Sequence, residues 1–253
     1  IEKIGKVKYK TNYDIPILPN YNNPRCHFDG KYWYLTLGFE HDENQVELNK
    51  DLSIGIDLGV SNLAIVNCLD KPIKNINKSA KVRKLKKRLK RLQRQVSRKY
   101  EANREGCQFN KTNNIIKLEK AIKLVYRKLN NIRTNHIHQA TNMIIKLRPY
   151  RVVMEDLNIS GMLKNKHLSK AIQEQGFYEF IRQMQYKCKF NGIEFVQVDK
   201  FYPSSKTCSC CGNVKKDLKL KDRMYVCDIC GLEMDRDKNA SINLGNYKAL
   251  EGV

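Results

Sequence analysis

Residues Cys208–Leu244 read CSCCGNVKKDLKLKDRMYVCDICGLEMDRDKNASINL, and this stretch joins two Cys-x-x-Cys pairs to an acidic segment. Cys208 and Cys211 form the first pair, and Cys227 and Cys230 form the second. About 15 residues separate the pairs, which is within the range of a four-thiolate zinc site. The segment DRDKN, which starts at Asp235, follows directly. The stretch therefore combines soft metal ligands with carboxylates that suit a harder metal.

The cysteine spacing predicts a structural zinc ribbon. Zinc prefers four soft ligands in a tetrahedron, and each Cys-x-x-Cys turn directs two thiolates to one centre. Gly212 and Gly231 follow the pairs and allow the turns. Cys210, inside the first pair, is expected to point away as a bystander. Disulfides are disfavoured because no secretory segment is visible and the remaining cysteines, at 26, 68, 107, 188 and 210, show no pairing pattern.

The charge of the chain predicts a polyanionic partner. Its 253 residues carry 48 Lys and Arg against 26 Asp and Glu, which gives a formal net charge of +22 at pH 7. Such an excess is typical of nucleic-acid-binding proteins. No apolar run reaches the length of a membrane span. The chain opens with Ile1 inside a strand-like pattern, so we expect that an N-terminal portion is missing.

The N-terminal region of the chain is expected to be rich in β-strands. Residues 1–48 contain strand-like segments at Lys6–Lys10 and Lys31–Leu37, separated by Asn- and Pro-rich turns. Trp33 is predicted to pack in a core rather than to stack on a base. Three further strands are expected, the first two joined by the hairpin turn Gly59–Asn62: Leu52–Leu58, Leu63–Cys68 and Lys71–Ile76.

Residues 79–135 are predicted to form a basic helical hairpin. Apolar residues recur at steps of three and four on both sides of a polar connection at residues 100–114. No acidic residue occurs between Lys71 and Tyr100. A helix surface that carries only positive charge favours contact with a nucleic-acid backbone over the alternative, a face that is merely solvated. The candidate contacts are Lys84, Lys87, Arg88, Arg91 and Arg94.

The remainder alternates between predicted strands and helices. A helix over residues 136–150 is expected to end before Pro149, and a helix over about 170–191 lies further on. Short apolar strands are predicted at Arg151–Leu157 and Glu194–Val198, and a terminal helix at Asn239–Leu250.

Three acids occupy similar places in these segments. Asp57 and Glu155 each follow an apolar strand run, and Asp237 opens a helix. Carboxylate oxygens are preferred ligands of Mg²⁺, and phosphodiester hydrolysis uses two such ions about 4 Å apart. Each acid alone also fits a cap, an ion pair or a turn. Asp156 and Asp235 are the alternative candidates for metal binding. Asp237 is preferred to Asp235 because it adjoins the helix start.

These motifs resemble the TnpB family of transposon-encoded RNA-guided nucleases, which are related to the compact type V CRISPR effectors. The resemblance rests on Gly55–Gly59, Val153–Leu157 and the ribbon that leads into Asp235–Ala240. It implies an α/β fold, an RNase H-like (RuvC) mixed sheet with an inserted basic helical hairpin and zinc ribbon, preceded by a portion of a β-barrel. The implied order is barrel (1–48), first RuvC segment (49–78), hairpin (79–135), second RuvC segment (136–203), ribbon (204–233) and third RuvC segment (234–253).

The resemblance also implies roles and partners. Asp57, Glu155 and Asp237 would be catalytic ligands of two Mg²⁺ ions, and one structural Zn²⁺ would be held by Cys208, Cys211, Cys227 and Cys230. Guide RNA and target DNA would be the partners, in the prokaryotic cytosol or nucleoid. Basic residues of the ribbon would steer single-stranded DNA, with plain solubility as the alternative: Lys215, Lys216, Lys219, Lys221 and Arg223. Tyr225 belongs either to the ribbon core or to a base-stacking surface, and the core is favoured.

Alternative functions stay open at this point. A catalytically silent RNA-guided DNA-binding repressor uses the same scaffold, and the presence of all three acids favours the nuclease. A transposase that joins DNA ends also uses three acids, although the ribbon between the last two argues against it. A truncated transposon remnant that only binds nucleic acid is the third. Full family members carry a long further N-terminal stretch with a recognition lobe, and guided activity depends on it.

Overall fold

The structure, a computed structural model, describes residues 5–11, 15, 21–39, 46–219 and 221–248. It divides into two units, Ile1–His41 and Asp42–Val253. Within the described residues, none of the helices combines the length and the hydrophobicity that a bilayer crossing needs. The second unit contains the mixed α/β fold and all the candidate metal ligands.

The first unit contains an antiparallel strand pair, β1 (Asn22–Phe28) and β2 (Trp33–Gly38). The turn between them is held by Asp29, whose Oδ1 accepts the N–H groups of Lys31 at 2.9 Å and Tyr32 at 2.8 Å. An aspartate that bonds the backbone two residues ahead is a common way to fix such a turn. The strand predicted at Lys31–Leu37 is thus confirmed, two residues shorter at its start.

Two other predictions for this unit are wrong. Residues 5–11 are exposed and form no strand, so the strand predicted from the polar/apolar alternation at Lys6–Lys10 is absent. Trp33 is 71 % exposed instead of lying in a core. Its ring contacts Phe28, with 5.1 Å between the ring centroids. The β-barrel expected for 1–48 depends partly on residues outside the described ones, namely 1–4, 12–14, 16–20 and 40–45.

The second unit is built from short strands and mostly longer helices. Its strands are β3 (Asn49–Leu58), β4 (Asn62–Val66), β5 (Ile73–Lys74), β6 (Arg104–Glu105), β7 (Gln108–Phe109), β8 (Pro149–Glu155), β9 (Glu194–Val198), β10 (Met224–Val226) and β11 (Glu233–Asp235). Its helices are α1 (Ala80–Ala102), α2 (Asn113–Ile145), α3 (Ile159–Lys164), α4 (Ser169–Gln175), α5 (Phe177–Phe190) and α6 (Arg236–Gly245), with a 3-10 turn at Ile76–Lys78.

Five of these strands form one mixed sheet in the order β5-β4-β3-β8-β9. Strand β4 pairs antiparallel with both β3 and β5, as expected for segments joined by short turns. Strand β8 is parallel to β3, and β9 is parallel to β8. Parallel neighbours need long crossovers, and here the crossovers contain α1 and α2 in one case and α3 to α5 in the other.

Several predicted elements are confirmed and three helices differ from prediction. The terminal helix begins three residues before the predicted Asn239, because Asp235 caps it, and it ends at Gly245. Strand β9 has the predicted bounds, and β3, β4 and β8 match within three residues at each end. The helix predicted to start at 136 is the continuation of α2, because buried Ile137 and Ile144 extend the apolar face of the same helix. The helix predicted over 170–191 is two helices, because Gly176 adopts a left-handed φ of 71° between them.

The two faces of the sheet contact different helices. Side chains alternate along a strand, so Ile54 and Ile56 of β3 share a face. That face packs against Ile137 of α2 and Phe180 of α5 in the largest apolar cluster. On the other face, Val153 of β8 packs with residues of β9 and α6. The acids Asp57 and Glu155 belong to this second face by the same alternation.

The helical hairpin of α1 and α2 has its own apolar seam and is attached to α4 by ion pairs. Its seam contains Val82, Leu92, Val125 and Leu129. Where the hairpin meets α4, the Glu174 carboxylate forms ion pairs with the Lys86 ammonium of α1 at 2.5 Å and with the Arg133 guanidinium of α2 at 3.4 Å. Asn77 donates to the Glu174 carbonyl at 2.8 Å. The hairpin is therefore tied to the body of the second unit by partly buried ion pairs.

Candidate functional site

Two of the three acids lie side by side at the carboxyl ends of adjacent parallel strands. Strands β3 and β8 pair Gly55 with Val153 and Ile56 with Met154. Asp57 and Glu155 come next on each strand, so their side chains leave the sheet at the same level and on the same face. The sequence places these acids about a hundred residues apart, and the sheet register brings them together.

Helix α6 brings the third acid to this face by direct contact with the backbone of β3. A Cβ placed on Gly55 would lie 2.0 Å from the Ser241 carbonyl oxygen and 2.2 Å from the Gly245 nitrogen. Only glycine permits so close an approach of helix and strand. Because Asp237 lies in the first turn of α6, the contact positions its carboxylate near Asp57 and Glu155.

The residues around Asp237 fix the start of α6. Asp235 caps the helix, with its Oδ1 accepting the N–H groups of Asp237 at 2.9 Å and Lys238 at 3.0 Å. The Lys238 ammonium donates to three carbonyl oxygens at the end of β4 and beyond, those of Val66, Asn67 and Leu69, at 2.8 to 3.1 Å. Asp235 is thus engaged as a cap, which leaves Asp237 as the acid of this pair better placed for the cluster.

The acid cluster is electrostatically crowded. The pKa of Asp57 is raised well above its usual value, first by burial and then by the nearby charges of Glu155 and Asp237. Arg236 opposes this shift, and its Nε and Nη2 donate to Asp237 Oδ1 at 3.2 and 3.1 Å. A divalent cation would relieve the remaining repulsion, and three carboxylates are the donor set that Mg²⁺ prefers.

The acids are grouped less tightly than the cysteines. Among the described residues, the only group of three or more candidate ligands whose donor atoms all lie within 4.8 Å of one another is the cysteine cluster. The acids are nevertheless close enough for Glu155 and Asp237 to raise the pKa of Asp57.

Ser204 is a site residue that the sequence did not reveal. It is 2 % exposed, and its hydroxyl donates a hydrogen bond to Glu155 Oε1. Its carbonyl oxygen accepts Asn243 of α6 at 2.7 Å. A serine in a Pro-Ser-Ser loop gives no distinctive signal in a single sequence. The contact holds one oxygen of Glu155 and thereby orients the carboxylate.

The four predicted cysteines converge on one centre. Sγ of Cys208 lies 3.6 Å from that of Cys230, and Sγ of Cys211 lies 3.5 Å from that of Cys227. A tetrahedral zinc with Zn–S bonds of about 2.3 Å would set the sulfurs roughly 3.8 Å apart, so the set fits zinc. Backbone N–H groups of Cys230 and then Ile229 lower the pKa of Cys227 to about 6. Cys210 is exposed and outside this group, as predicted.

The rest of the ribbon packs around this thiol cluster. Tyr225 is fully buried between the cysteines, and its hydroxyl donates to the Lys206 carbonyl at 3.3 Å, which confirms the core prediction. Lys215 pairs with Asp228 at 2.8 Å, so its ammonium is already engaged. Arg223 is different, since its side chain is 63 % exposed and Nη1 lies 4.0 Å from Asp237 Oδ2.

Two asparagines of α6 attach the ribbon to the sheet. Asn239 is fully buried, donates to the Thr207 carbonyl at 2.6 Å and accepts the Ser209 N–H at 2.9 Å. Asn243, one helical turn on, donates to the same Thr207 carbonyl at 2.6 Å. The first turn of the ribbon is therefore held by the helix that carries Asp237.

Removing the metal from the ribbon should loosen it without unfolding the sheet. With a strong chelator, we expect residues 204–233 to become susceptible to protease, because the small ribbon core depends on the thiolate centre. Cys227→Ser should do the same, and Cys210→Ser should not. The measurement is limited proteolysis with mapping of cleavage sites. Equal resistance of the Cys227→Ser and Cys210→Ser proteins would contradict a metal-held ribbon.

The five basic residues predicted on α1 all lie on one exposed face. At 100° per residue, Lys84, Lys87, Arg88, Arg91 and Arg94 fall within about a third of the helix circumference. Buried Val82 lies directly opposite the middle of this stripe, and buried Leu92 lies about 100° from it. The stripe therefore faces solvent while the seam faces α2, which is the arrangement that a polyanion contact requires.

Comparisons with known proteins agree on one group of relatives. A family model described as "Probable transposase" matches residues 36–166, and one described as "Cas12f1-like, TNB domain" matches 177–244. Over 194 residues, the chain is 32 % identical to a protein of Streptomyces pristinaespiralis that is provisionally named an RNA-guided DNA endonuclease; the match covers 76 % of this chain and 44 % of that protein. Over 220 residues, it is 26 % identical to the CRISPR-associated endodeoxyribonuclease Cas12f1 of Sulfoacidibacillus thermotolerans, with 84 % and 49 % covered.

A solved structure shows the same fold. The chain in the cryo-EM structure of the Cas12f1-sgRNA-target DNA complex superposes with a TM-score of 0.57 at 21 % identity. The match covers 85 % of this chain and 42 % of that one. The chain thus spans about half the length of the relatives it matches.

Proposed function

The chain belongs to the family described as "Probable transposase", whose model matches more than half of it, and we propose that it acts as an RNA-guided DNA endonuclease of a transposon. The resemblance to TnpB is confirmed by this match and by relatives named TnpB-like. The observation that carries the proposal is the convergence of Asp57, Glu155 and Asp237 on one face of the sheet. Relatives named RNA-guided endonucleases supply the substrate class.

The proposal includes an RNase H-like (RuvC) fold for residues 49–78, 136–203 and 234–253. Three antiparallel strands followed by two parallel ones, with acids at the ends of the two central strands, support it. The hairpin (79–135) and the ribbon (204–233) would be insertions between these segments. Residues 1–48 would be the end of a wedge-type β-barrel, to which the pair β1–β2 belongs.

In this proposal the acids hold Mg²⁺ and the surrounding residues hold the acids. Bound Mg²⁺ would supply an activated water and stabilise the leaving oxygen during hydrolysis of the phosphodiester. Asp57 and Asp237 would share the ions, and Glu155 would bind one of them. Ser204 keeps Glu155 oriented through its hydroxyl, and Arg236 keeps Asp237 in place. Such preorganisation is what gives charged groups their effect at the reacting phosphate.

The basic surfaces would bind the nucleic acids. The stripe on α1 is suited to the backbone of a guide RNA or of its duplex with target DNA, since base pairing would then read the sequence. Arg223 lies beside Asp237 and would draw a single strand of DNA toward the acids. The zinc ribbon would hold Arg223 in that position.

Neutralising several residues of the α1 stripe should lower the salt dependence of RNA binding. With Lys87, Arg91 and Arg94 changed to Ala, we expect log K against log[salt] to become shallower by about 2, since each phosphate contact contributes about 0.7 for single strands. The matched control is Lys81, Lys90 and Lys99 changed to Ala, which are exposed residues of the same helix outside the stripe. An equal decrease of the log K against log[salt] slope in the triple mutant and in the control would show that RNA binding depends on net charge and not on the stripe.

A catalytically silent RNA-guided DNA-binding repressor is the competing function. It would need the same basic stripe and ribbon but no acid cluster. All three acids are present, and the charges of Glu155 and Asp237 add to burial in raising the pKa of Asp57. This favours the nuclease over the repressor and over a remnant that only binds nucleic acid. A transposase would be revealed by strand-transfer products in a defined reaction.

The proposal is tested by the RNA that copurifies with the protein. We expect sequencing of that RNA to give one defined species. We expect the complex to cleave DNA that matches the 3′ or 5′ end of this RNA when Mg²⁺ is present and not when Mg²⁺ is omitted. DNA of scrambled sequence is the control. Sequence-independent cleavage would contradict guidance, and binding without cleavage would favour the repressor.

A further inference from the structure

An exposed phenylalanine stands on the hydrogen-bonded turn that follows β9. Phe201 is 79 % exposed, the largest exposure among the large apolar side chains of the described residues. Isolated exposed aromatic side chains are ordinary on protein surfaces. Phe201 differs because of how its turn is built, where the turn lies and which cation accompanies it.

The turn holds the ring outward. The Asp199 carbonyl accepts the Tyr202 N–H at 2.9 Å, and Asp199 Oδ1 accepts the Phe201 N–H at 2.7 Å. Lys200 and Phe201 are thus the two central residues of a hydrogen-bonded β-turn. Polar residues commonly occupy these positions, so the turn itself does not require a phenylalanine. Folding gains nothing from a phenyl ring that stays in water.

Both ends of the turn are anchored. Before it, Val198 is 1 % exposed in the apolar cluster under α6. After it, the Tyr202 ring packs edge-on against Tyr247 with 5.1 Å between centroids, and its hydroxyl donates to the Asn243 carbonyl at 3.4 Å. A turn fixed in this way presents its central side chains in one orientation and loses little entropy on binding.

The turn lies next to Glu155. Val198 is the register partner of Glu155, and Ser204 donates its hydroxyl to the same glutamate. Phe201 is midway between Val198 and Ser204, so its backbone is at most roughly 11 Å from either. The turn is therefore within reach of a nucleic-acid strand whose phosphate lies at Glu155.

The cation beside the ring completes the surface. Lys200 Nζ lies 5.0 Å from the centroid of the Phe201 ring. A single strand offers a base that can stack on the ring and a phosphate that can pair with the ammonium. We propose that Phe201 and Lys200 form a stacking platform for a nucleobase of the single-stranded DNA that enters the acid centre. This inference rests on the proposed nuclease function and names the positioning residues for its substrate strand.

The test is binding of single-stranded DNA by the full chain in buffer without Mg²⁺ and without a chelator, so that no cleavage is expected and the thiolate centre is left intact. The probe is a fluorescein-labelled oligo-dT strand, followed by the same strand with one 2-aminopurine whose emission is quenched by stacking. Phe201→Ala should weaken binding roughly 5- to 100-fold and abolish the quenching. Phe201→Trp should retain both. Lys200→Ala should reduce the salt slope by about 0.7.

Tyr178→Ala is the matched control, since Tyr178 is 70 % exposed but lies on α5, which packs on the opposite face of the sheet. Its affinity should stay at the wild-type value. Equal affinity of Phe201→Ala and wild type, equal loss in Phe201→Ala and Tyr178→Ala, or failure of Phe201→Trp to bind would each overturn the platform. If the wild type binds strands through Phe201 but never cleaves in Mg²⁺, the platform stands and the nuclease proposal fails.

Discussion

Asp57→Asn is expected to abolish cleavage while making the metal-free protein more stable. Loss of a metal-binding charge removes several kcal/mol of transition-state stabilisation, so cleavage should fall at least about a thousandfold. The asparagine keeps the shape of the side chain and removes one of three crowded negative charges. An increase of about 1 kcal/mol in the free energy of unfolding would raise Tm by about 2–4 °C.

The pH dependence of this stability difference has a definite sign. The pKa of Asp57 is raised in the folded protein, so its charged form destabilises the fold at neutral pH. As pH falls, the folded protein takes up this proton before the unfolded chain does. Without Mg²⁺, the Tm advantage of Asp57→Asn over wild type should therefore grow as pH rises above the ordinary pKa of an aspartate and shrink as pH falls toward it.

Added Mg²⁺ should reverse the order of stability. A cation bound between the acids stabilises only the protein that retains them, by about 2.7 kcal/mol at a hundred times its Kd. Asp156→Asn is the control, because Asp156 is the exposed neighbour of Glu155. It should cleave and respond to Mg²⁺ as the wild type does. Undiminished Mg²⁺-dependent cleavage by Asp57→Asn would disprove the assignment of the centre.

Gly55→Ala is expected to be the most destabilising single-methyl substitution in the sheet. The added Cβ would lie 2.0 Å from a carbonyl oxygen and 2.2 Å from a backbone nitrogen of α6, and backbone cannot move aside as a flexible side chain does. We expect a loss of about 3 kcal/mol or more in the free energy of unfolding, at the top of the range for overpacking. Tm should fall by about 6–12 °C.

The control for this substitution lies at the end of the same strand. A Cβ on Gly59 would meet only the Asn62 carbonyl oxygen, at 3.3 Å. Gly59→Ala should therefore cost far less than Gly55→Ala in thermal unfolding. Even folded Gly55→Ala should lose cleavage, because a displaced α6 carries Asp237 away from Asp57. Wild-type Tm and activity in Gly55→Ala would mean that α6 does not rest on β3.

Much of the fold was predictable because local patterns reflect local physics. The thiolate spacing specified the ribbon, and the apolar steps of α1 and α2 specified a hairpin with one basic face. Prediction failed where tertiary contacts override the local pattern. Gly176 interrupts a helix-like periodicity, and Lys6–Lys10 alternates without forming a strand among the described residues.

The sequence by itself determined the chemical inventory: four cysteines at zinc spacing, three acids at the ends of apolar segments, and a one-signed basic helix. Such features depend on residue type and on spacing within one segment. The tertiary structure alone decided that Asp57 and Glu155 share a level of the sheet, that α6 packs directly on Gly55, and that Ser204 contacts Glu155. These relations depend on strand register and on helix packing between residues far apart in the chain. Neither the register nor the packing can be predicted from the residues of one segment alone.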